Sequence, residues 1–100
     1  MFRGTTPTHT FTVPIESSKI KEVRVIYSQN DKSILIKKTE DATVNDNEIK
    51  VKLTQEETFK FDCNAPVQIQ IRVLTTSGDA LLSNPITMTV GKCLDDEVLI

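Results

Sequence analysis

Three short turn signals, each lying between segments in which apolar and polar residues alternate, indicate that this chain is built from β-hairpins. The clearest signal is Asp46-Asn47. A two-residue turn there pairs Val44 with Ile49, and the apolar row continues to Leu53 while the intervening residues are mostly charged. Because successive side chains point to opposite faces of a strand, this pattern predicts a strand with one buried face.

A second turn signal, Asn30-Asp31, pairs Tyr27 with Ile34 and Val25 with Ile36. This register predicts that these four apolar side chains share the buried face of one hairpin.

The third turn signal, Gly78-Asp79, has glycine in the first central position, which suits a type II′ turn. It pairs Ile71 with Ile86, and the same register reaches Val90. The three turns are independent of one another, yet each register collects apolar residues on one face. This agreement predicts a fold composed of antiparallel hairpins.

The stretch RGTTPTHTFTVP, residues 3 to 14, predicts a further strand and contains His9, the only histidine of the chain. Its odd positions face one side (His9, Phe11, Val13 and Ile15) and its even positions face the other (Thr8, Thr10 and Thr12). We therefore interpret His9 as the outer member of an inward-facing row, near the rim of a sheet.

Between the second and third hairpins, Thr54 and Glu57 have the spacing of a capping box, which predicts one helical turn where the chain crosses between sheets. Phe59 and Phe61 are predicted to fill the core at that crossing. The whole pattern predicts an all-β fold, an immunoglobulin-like β-sandwich of about seven antiparallel strands with one short helical turn. We expect a single domain over residues 1–100, with residues 91–100 as a tail after the last strand.

The composition limits the partners that this domain can have. Its net charge of −2 and isoelectric point near 5.3 argue against nucleic acid, which requires a basic face. The longest aliphatic run, Ile34 to Ile36, is far shorter than the about 20 apolar residues that cross a bilayer, so no membrane partner is expected. Residues 1–4 lead into no apolar leader segment, and we expect the chain to be cytoplasmic at synthesis.

No residue pattern predicts catalysis, a cofactor or a metal. A nucleophilic mechanism needs a base within reach of a nucleophile, and His9 has no candidate partner in the sequence. The segment Asp41–Glu48 has acidic and amide oxygens, but it lacks the glycine and the final bidentate glutamate of a calcium loop. With three glycines in the chain there is no glycine-rich phosphate loop. We therefore predict a protein that is not an enzyme.

The two cysteines, Cys63 and Cys93, are about equally far from the Gly78 turn, which makes a disulfide sterically conceivable. Register argues against it, because Cys63 continues an inward row whereas Cys93 has the opposite parity in its strand. Only a bulge, at Gly91, would turn Cys93 around. Because no export signal is present, we expect two reduced thiols.

Two surfaces are candidate interfaces. Ile26 and Leu35 pair on the face opposite the core row, and Leu74 also points outward by period. The first strand, with Thr8, Thr10 and Thr12, is the other candidate, since a strand at an open edge can be paired by a partner or exchanged between subunits. Pro85 removes a ladder donor from the last strand and predicts that this strand also lies at an edge.

Four segments together resemble a group of small β-rich proteins carried by bacterial prophages and mobile elements: RGTTPTHTFTVP, KLTQEETFKF, QIQIRVLTTSGDALLS and GKCLDDEVL. The resemblance runs over nearly the whole chain, and strand, turn and cap signals carry it rather than chemistry. It implies a layout similar to small β-sandwich modules of phage tails and baseplates, such as the N-terminal module of upper baseplate proteins. No catalytic residue can be transferred, because no activity is assigned to the group.

Two functions from different classes are compatible with the sequence. The first is a non-enzymatic structural or adaptor module of a phage-derived assembly, part of a phage-like particle, which docks on phage structural proteins or on itself through strand edges and an outer sheet face. The second is a small monomeric module that binds a ligand or a peptide. Its recognition rim would be formed by the end loops at Asn30-Asp31, Asp46-Asn47 and Ser77–Ala80.

Overall fold

The computed structural model describes all residues from Met1 to Ile100, and β-strands dominate it. The eight strands are β1 (Thr8–Thr12), β2 (Ile20–Gln29), β3 (Lys32–Lys38), β4 (Ala42–Asn45), β5 (Glu48–Lys52), β6 (Val67–Thr75), β7 (Ala80–Leu82) and β8 (Ile86–Met88). One helical turn, α1 (Gln55–Thr58), and two 3-10 turns, Ser17–Lys19 and Thr39–Asp41, complete the fold. The all-β prediction is confirmed.

The strands form two antiparallel sheets. The small sheet has the order β1-β5-β4, and the large sheet has the order β3-β2-β6-β7, with β8 also paired to β6. The hairpins β2-β3, β4-β5 and β6-β7 each stay within one sheet, whereas the connections between them cross from one sheet to the other. Every strand pairing is antiparallel.

One hydrophobic core joins the two sheets. The small sheet contributes Phe11, Ile49 and Val51, and the large sheet contributes alternate residues of β2 and β6. The most deeply buried large side chains come from both sheets and from the crossing between them: Tyr27, Phe61, Ile49, Leu53 and Ile69. Burial of a side chain of this size stabilises the fold by roughly 1.5–3 kcal/mol.

The β4-β5 hairpin and the helical turn agree with the sequence. Val44 pairs with Ile49 across the Asp46-Asn47 turn, as predicted. Thr54 accepts a hydrogen bond from the Glu57 backbone at 3.1 Å, and the Glu57 carboxylate accepts one from the Thr54 backbone at 2.8 Å, so the predicted capping box is present. Phe61 is buried in the core, whereas Phe59 is only partly buried, with the guanidinium of Arg3 5.4 Å from its ring centre.

The β2-β3 hairpin corrects one prediction. The turn itself is as expected, since Asn30 and Asp31 both have positive φ and Ser28 pairs with Ser33. One extra residue then enters β3, so Tyr27 pairs with Leu35 instead of Ile34. A one-residue shift reverses the faces of every later side chain in the strand.

The bulge moves Leu35, predicted on the outer face, into the core, where 9 % of its surface is exposed. It moves Ile36, predicted to be buried, to the outside, where 41 % is exposed. Lys37 becomes an inward-facing residue, a position that hydrophobic periodicity does not predict for a lysine.

The β6 hairpin differs from the prediction in register. A loop longer than two residues shifts β7 and turns Leu81 inward, opposite Val73. The break between β7 and β8 then takes back one residue, so Ile86 pairs with Ile69 instead of Ile71. A shift of two residues preserves the faces, so Ile86 still points inward. The returning strand is divided at Pro85 into β7 and β8, and both lie at the sheet edge that the proline predicted. At the division, the Ser83 hydroxyl accepts the Ile71 backbone N–H at 2.9 Å.

No strand or helix forms in residues 91–100. Gly91 forms an isolated parallel bridge with Phe2, and its carbonyl accepts a hydrogen bond from the Arg3 backbone at 3.1 Å. Farther along, the side-chain amide of Gln55 bonds both the N–H and the carbonyl of Leu99, at 2.8 and 3.0 Å. The segment Leu94–Ile100 is therefore held by a few surface contacts.

Candidate docking site: an open strand edge

The free edge of β1 presents unpaired backbone groups. β1 pairs only with β5, and two hydrogen bonds fix which residues face it: Val13 donates to Asn47, and Leu53 donates to Pro7. In an antiparallel pair every second residue bonds to the neighbouring strand. The odd residues of β1 therefore bond to β5, and the backbone N–H and C=O groups of Thr8, Thr10 and Thr12 point to the open side.

An uncovered apolar surface lies beside this edge. The small sheet is three strands wide. The large sheet is four strands wide, because β7 and β8 both pair with β6 along the same edge, so these two strands extend beyond the end of the small sheet. Register turns three of their residues toward the core side: Leu81 opposite Val73, Ile86 opposite Ile69, and Met88. Leu81 and Ile86 remain 46 % and 41 % exposed, whereas Met88 is partly buried against the core.

The β1 edge and the overhanging strands enclose an open groove of about 560 Å³. Its walls include Phe11 from β1, Ile71 from β6, and Ile86 and Met88 from β8. A smaller, largely apolar depression of about 150 Å³ continues it past Val13 toward Leu81 and Ile15. The combined groove runs alongside β1 and has the form of a missing strand position.

His9 anchors the start of β1 to the large sheet. Its Nδ1 lies 2.6 Å from the Tyr27 hydroxyl, within hydrogen-bond distance, and its ring meets the Phe11 ring edge to face. Burial lowers the pKa of His9 below its usual value of 6.5, and burial also raises the pKa of the Tyr27 hydroxyl. The imidazole is therefore neutral and the phenol protonated near neutral pH, which makes this contact a structural link between the sheets.

The outer face of the large sheet does not hold a continuous apolar patch. Ile26 and Leu74 both point outward and are half-buried, but the row Lys38, Arg24 and Arg72 lies across neighbouring strands between them. Leu35 does not take part, because the bulge places it in the core, and Ile36 stands beside Ile26 instead. This face combines single apolar side chains with a row of cations.

The three predicted rim loops do not lie together. The Asp46-Asn47 turn contacts the Ser17 backbone, and Thr76, at the start of the third loop, donates to Lys19 at 3.0 Å, so these two loops share one end of the molecule. The Asn30-Asp31 turn lies at the other end, where the preceding residue, Gln29, donates to Asp62 at 2.7 Å. The three loops therefore do not form a single recognition rim.

The remaining chemically active residues stand apart from this groove. Cys63 and Cys93 are both half-buried free thiols, and Cys63 packs against the core. No group of three or more His, Cys, Asp or Glu side chains is placed to hold a metal ion. None of the helices has the length and apolar character needed to cross a bilayer.

Comparison with protein-family models, with curated proteins and with solved structures gave no match.

Sequence reasoning identified half of this groove. The pattern of β1 marked Thr8, Thr10 and Thr12 as an edge, but it did not indicate Leu81, Ile86 and Met88 as the opposite wall. That wall exists because the large sheet is one position wider than the small one, which depends on strand order. Pro85, which divides the last strand, was the only local signal for it.

Proposed function

We propose that this protein is a non-enzymatic structural or adaptor module that docks by accepting an extended segment of a partner along β1. One observation carries the proposal: the unpaired backbone of β1 lies directly beside an apolar surface that its own small sheet leaves uncovered. A strand added there would satisfy the backbone groups of β1 and cover Ile86 and Met88. Main-chain hydrogen bonds would supply affinity, and alternate side chains in the groove would supply specificity.

We further propose that the fold is immunoglobulin-like. In immunoglobulin domains one sheet has the order A-B-E-D and the other the order G-F-C, extended by C′ in the variable type. The order β1-β5-β4 corresponds to B-E-D, and β3-β2-β6-β7 corresponds to C′-C-F-G. No strand pairs with β1 in the position of strand A, which is the open edge of β1. Residues Met1–Arg3 pair in parallel with Thr89–Gly91, beyond β8, instead.

The assembly in which we place this module is one encoded by a prophage or mobile element. Its support is the sequence resemblance of the four segments given above. The expected partners are therefore structural proteins of the same element, which offer an extended segment of alternating apolar residues.

The proposal is tested by removing one backbone donor from the open edge. Thr10→Pro deletes the backbone N–H that points away from β5. The matched control Thr10→Val keeps this N–H and has a side chain of similar size and shape. Tagged wild-type protein and both variants would be crosslinked in cells that produce particles of the parent element, and the captured particle proteins would be identified. We expect capture by wild type and Thr10→Val and its loss with Thr10→Pro. Equal capture by all three folded proteins would refute docking at β1.

A further inference from the structure

The shape of the groove restricts what can occupy it. β8 lies beside β6 and forms the floor next to β1, so the layer beneath an added strand is already filled. The edge strand of another folded sandwich would bring its own second sheet into that layer, where it would overlap β8, because packed sheets lie about 10 Å apart. The groove therefore accepts an extended segment that has no sheet beneath it.

The chain itself contains a segment of this kind. In Leu94–Ile100, sequence LDDEVLI, Leu94 is 95 % exposed and Leu99 is 74 % exposed. In an extended strand Leu94, Val98 and Ile100 share one face, together with Asp96. The opposite face carries Asp95, Glu97 and Leu99. The segment belongs to no strand, although it supplies the apolar side chains that the groove lacks.

The present backbone contacts of this segment to the rest of the chain are confined to Leu99. The Gln55 amide donates to the Leu99 carbonyl and accepts from the Leu99 N–H, as a neighbouring strand would. Besides this, Arg3 reaches Asp96 at 3.4 Å, an exposed ion pair of little energetic value. Releasing the segment therefore breaks two surface hydrogen bonds and one weak ion pair, and it exposes the half-buried side chain of Val98.

Charge favours the same pairing. Asp95, Asp96 and Glu97 are exposed in the segment, and Lys50 and Lys52 are exposed on β5, directly opposite Thr10 and Thr8. In a segment laid along β1 with Val98 facing the groove, Asp95 and Glu97 would lie on the same outer face as these lysines, about 10 Å away across β1.

We propose that the groove beside β1 receives the segment Leu94–Ile100 of a second copy of this chain. This inference rests on the proposed docking function and names its partner. Each copy has one groove and one donor segment, so two copies can exchange segments reciprocally in a closed dimer, or copies can join head to tail. Head-to-tail contacts build rings when the rotation closes and filaments when it does not.

Two variants of the full chain test this pairing by complementation. Thr10→Pro blocks the groove and leaves the donor segment intact, whereas Val98→Asp/Ile100→Asp disables the apolar face of the donor and leaves the groove intact. Each variant would be monomeric alone in analytical ultracentrifugation, with its fold checked by urea denaturation. The mixture would form a one-to-one dimer held by one donor segment, while wild type forms either a tighter dimer held by two donor segments or larger species.

Gln55→Ala sharpens the test because it frees the donor segment without touching either binding surface. We expect it to strengthen wild-type association by about tenfold, as two exposed hydrogen bonds no longer compete. A wild-type chain that stays monomeric in all conditions, or a mixture of the two blocked variants that forms no dimer, would overturn the inference. If that happened while Thr10→Pro still lost capture of a particle protein, the docking function would stand and only its partner would be wrong.

Discussion

One outer strand of each sheet, β1 in the small sheet and β3 in the large sheet, can be compared for protection against pairing, and the two differ greatly. β3 begins with Lys32 and ends with Lys38, contains a bulge, and turns Lys37 inward. Lysines, bulges and inward charges are features that keep sheet edges from pairing with other chains. β1 has no charged residue, no proline and no bulge in its five residues. The contrast supports β1 as the edge at which pairing is permitted.

The inward charge of β3 is neutralised inside the molecule. Lys37 Nζ lies 2.7 Å from Glu57 Oε1, and the two side chains are 10 % and 19 % exposed. Burial raises the pKa of Glu57, but hydrogen bonds from Lys37 and the Thr54 backbone, together with the charge of Lys37, outweigh it and hold the pKa below 4.5. The same carboxylate closes the capping box of α1, so one residue links the guarded edge to the crossing between sheets.

The largest expected effect comes from breaking this pair. Lys37→Leu leaves the Glu57 carboxylate without its partner, and we expect a loss of about 2–3 kcal/mol in the free energy of unfolding, reduced from a fully buried pair because Glu57 keeps some solvent. Lys38→Leu, on the outward side of the same strand, should change it by less than about 0.5 kcal/mol. Urea denaturation measures both. Equal losses in the two variants would mean that the pair does not stabilise the fold.

The sequence predicts the hairpins better than the edges, and the reason is physical. Turn residues and period-two alternation are local, so Asp46-Asn47, Asn30-Asp31 and the capping box at Thr54 could all be located from the sequence. The bulge in β3 is a single unpaired residue that leaves no periodic trace, and it exchanged Leu35 for Ile36 on the outer face.

The candidate site shows the same division. The outward face of the three threonines of β1 could be predicted from their alternation, and β1 was a candidate edge because it is the first strand of the chain. The overhang of β7 and β8 could not, because it arises from the different widths of two sheets. Strand order depends on contacts between residues far apart in the chain, and a pattern along one segment does not encode it.

The second prediction concerns the link that fixes β1 to the large sheet. Tyr27→Phe removes the hydroxyl and leaves Nδ1 of His9 without a partner, so we expect a loss of about 1–2 kcal/mol in the free energy of unfolding. In a His9→Phe background the same substitution should have almost no effect. A double-mutant cycle by urea denaturation measures the coupling. Equal effects of Tyr27→Phe in both backgrounds would show that the contact contributes nothing.

The third prediction distinguishes, by pH, the His9 contact of β1 from the Lys37–Glu57 pair of β3. The pKa of His9 is lowered in the folded state, so the stability that depends on its neutral form is complete above 6.5 and is lost as pH falls through the folded pKa. Glu57 behaves in the same direction but in a lower window, beginning near 4.5. His9→Phe should therefore flatten the pH dependence of unfolding on the weakly acidic side, and Glu57→Gln should flatten it only at lower pH. Identical profiles for the two variants would contradict the separation.

The smallest expected effect on the free energy of unfolding is that of Thr10→Pro, and it is the most informative about the open edge of β1. Thr10 and Thr43 are exposed threonines on the outer face of the same sheet, on either side of β5. The backbone N–H and C=O groups of Ile49 and Val51 point toward β1, so those of Lys50 point toward β4. The N–H of Thr43, which lies opposite Lys50, is therefore hydrogen-bonded within the sheet. The Thr10 N–H faces the open side. A proline at each position therefore removes a paired donor in one case and an unpaired donor in the other.

We expect Thr43→Pro to lower the free energy of unfolding by roughly 2 kcal/mol or more, and Thr10→Pro to lower it by less than about 1 kcal/mol. Urea denaturation of the two variants, with Thr10→Val and Thr43→Val as references, measures the difference. A large loss for Thr10→Pro would mean that its N–H is already used within the molecule, and β1 would then offer no free ladder to a partner. A small loss, together with lost docking, would mean that the backbone of β1 serves the interface and contributes little to the stability of the fold.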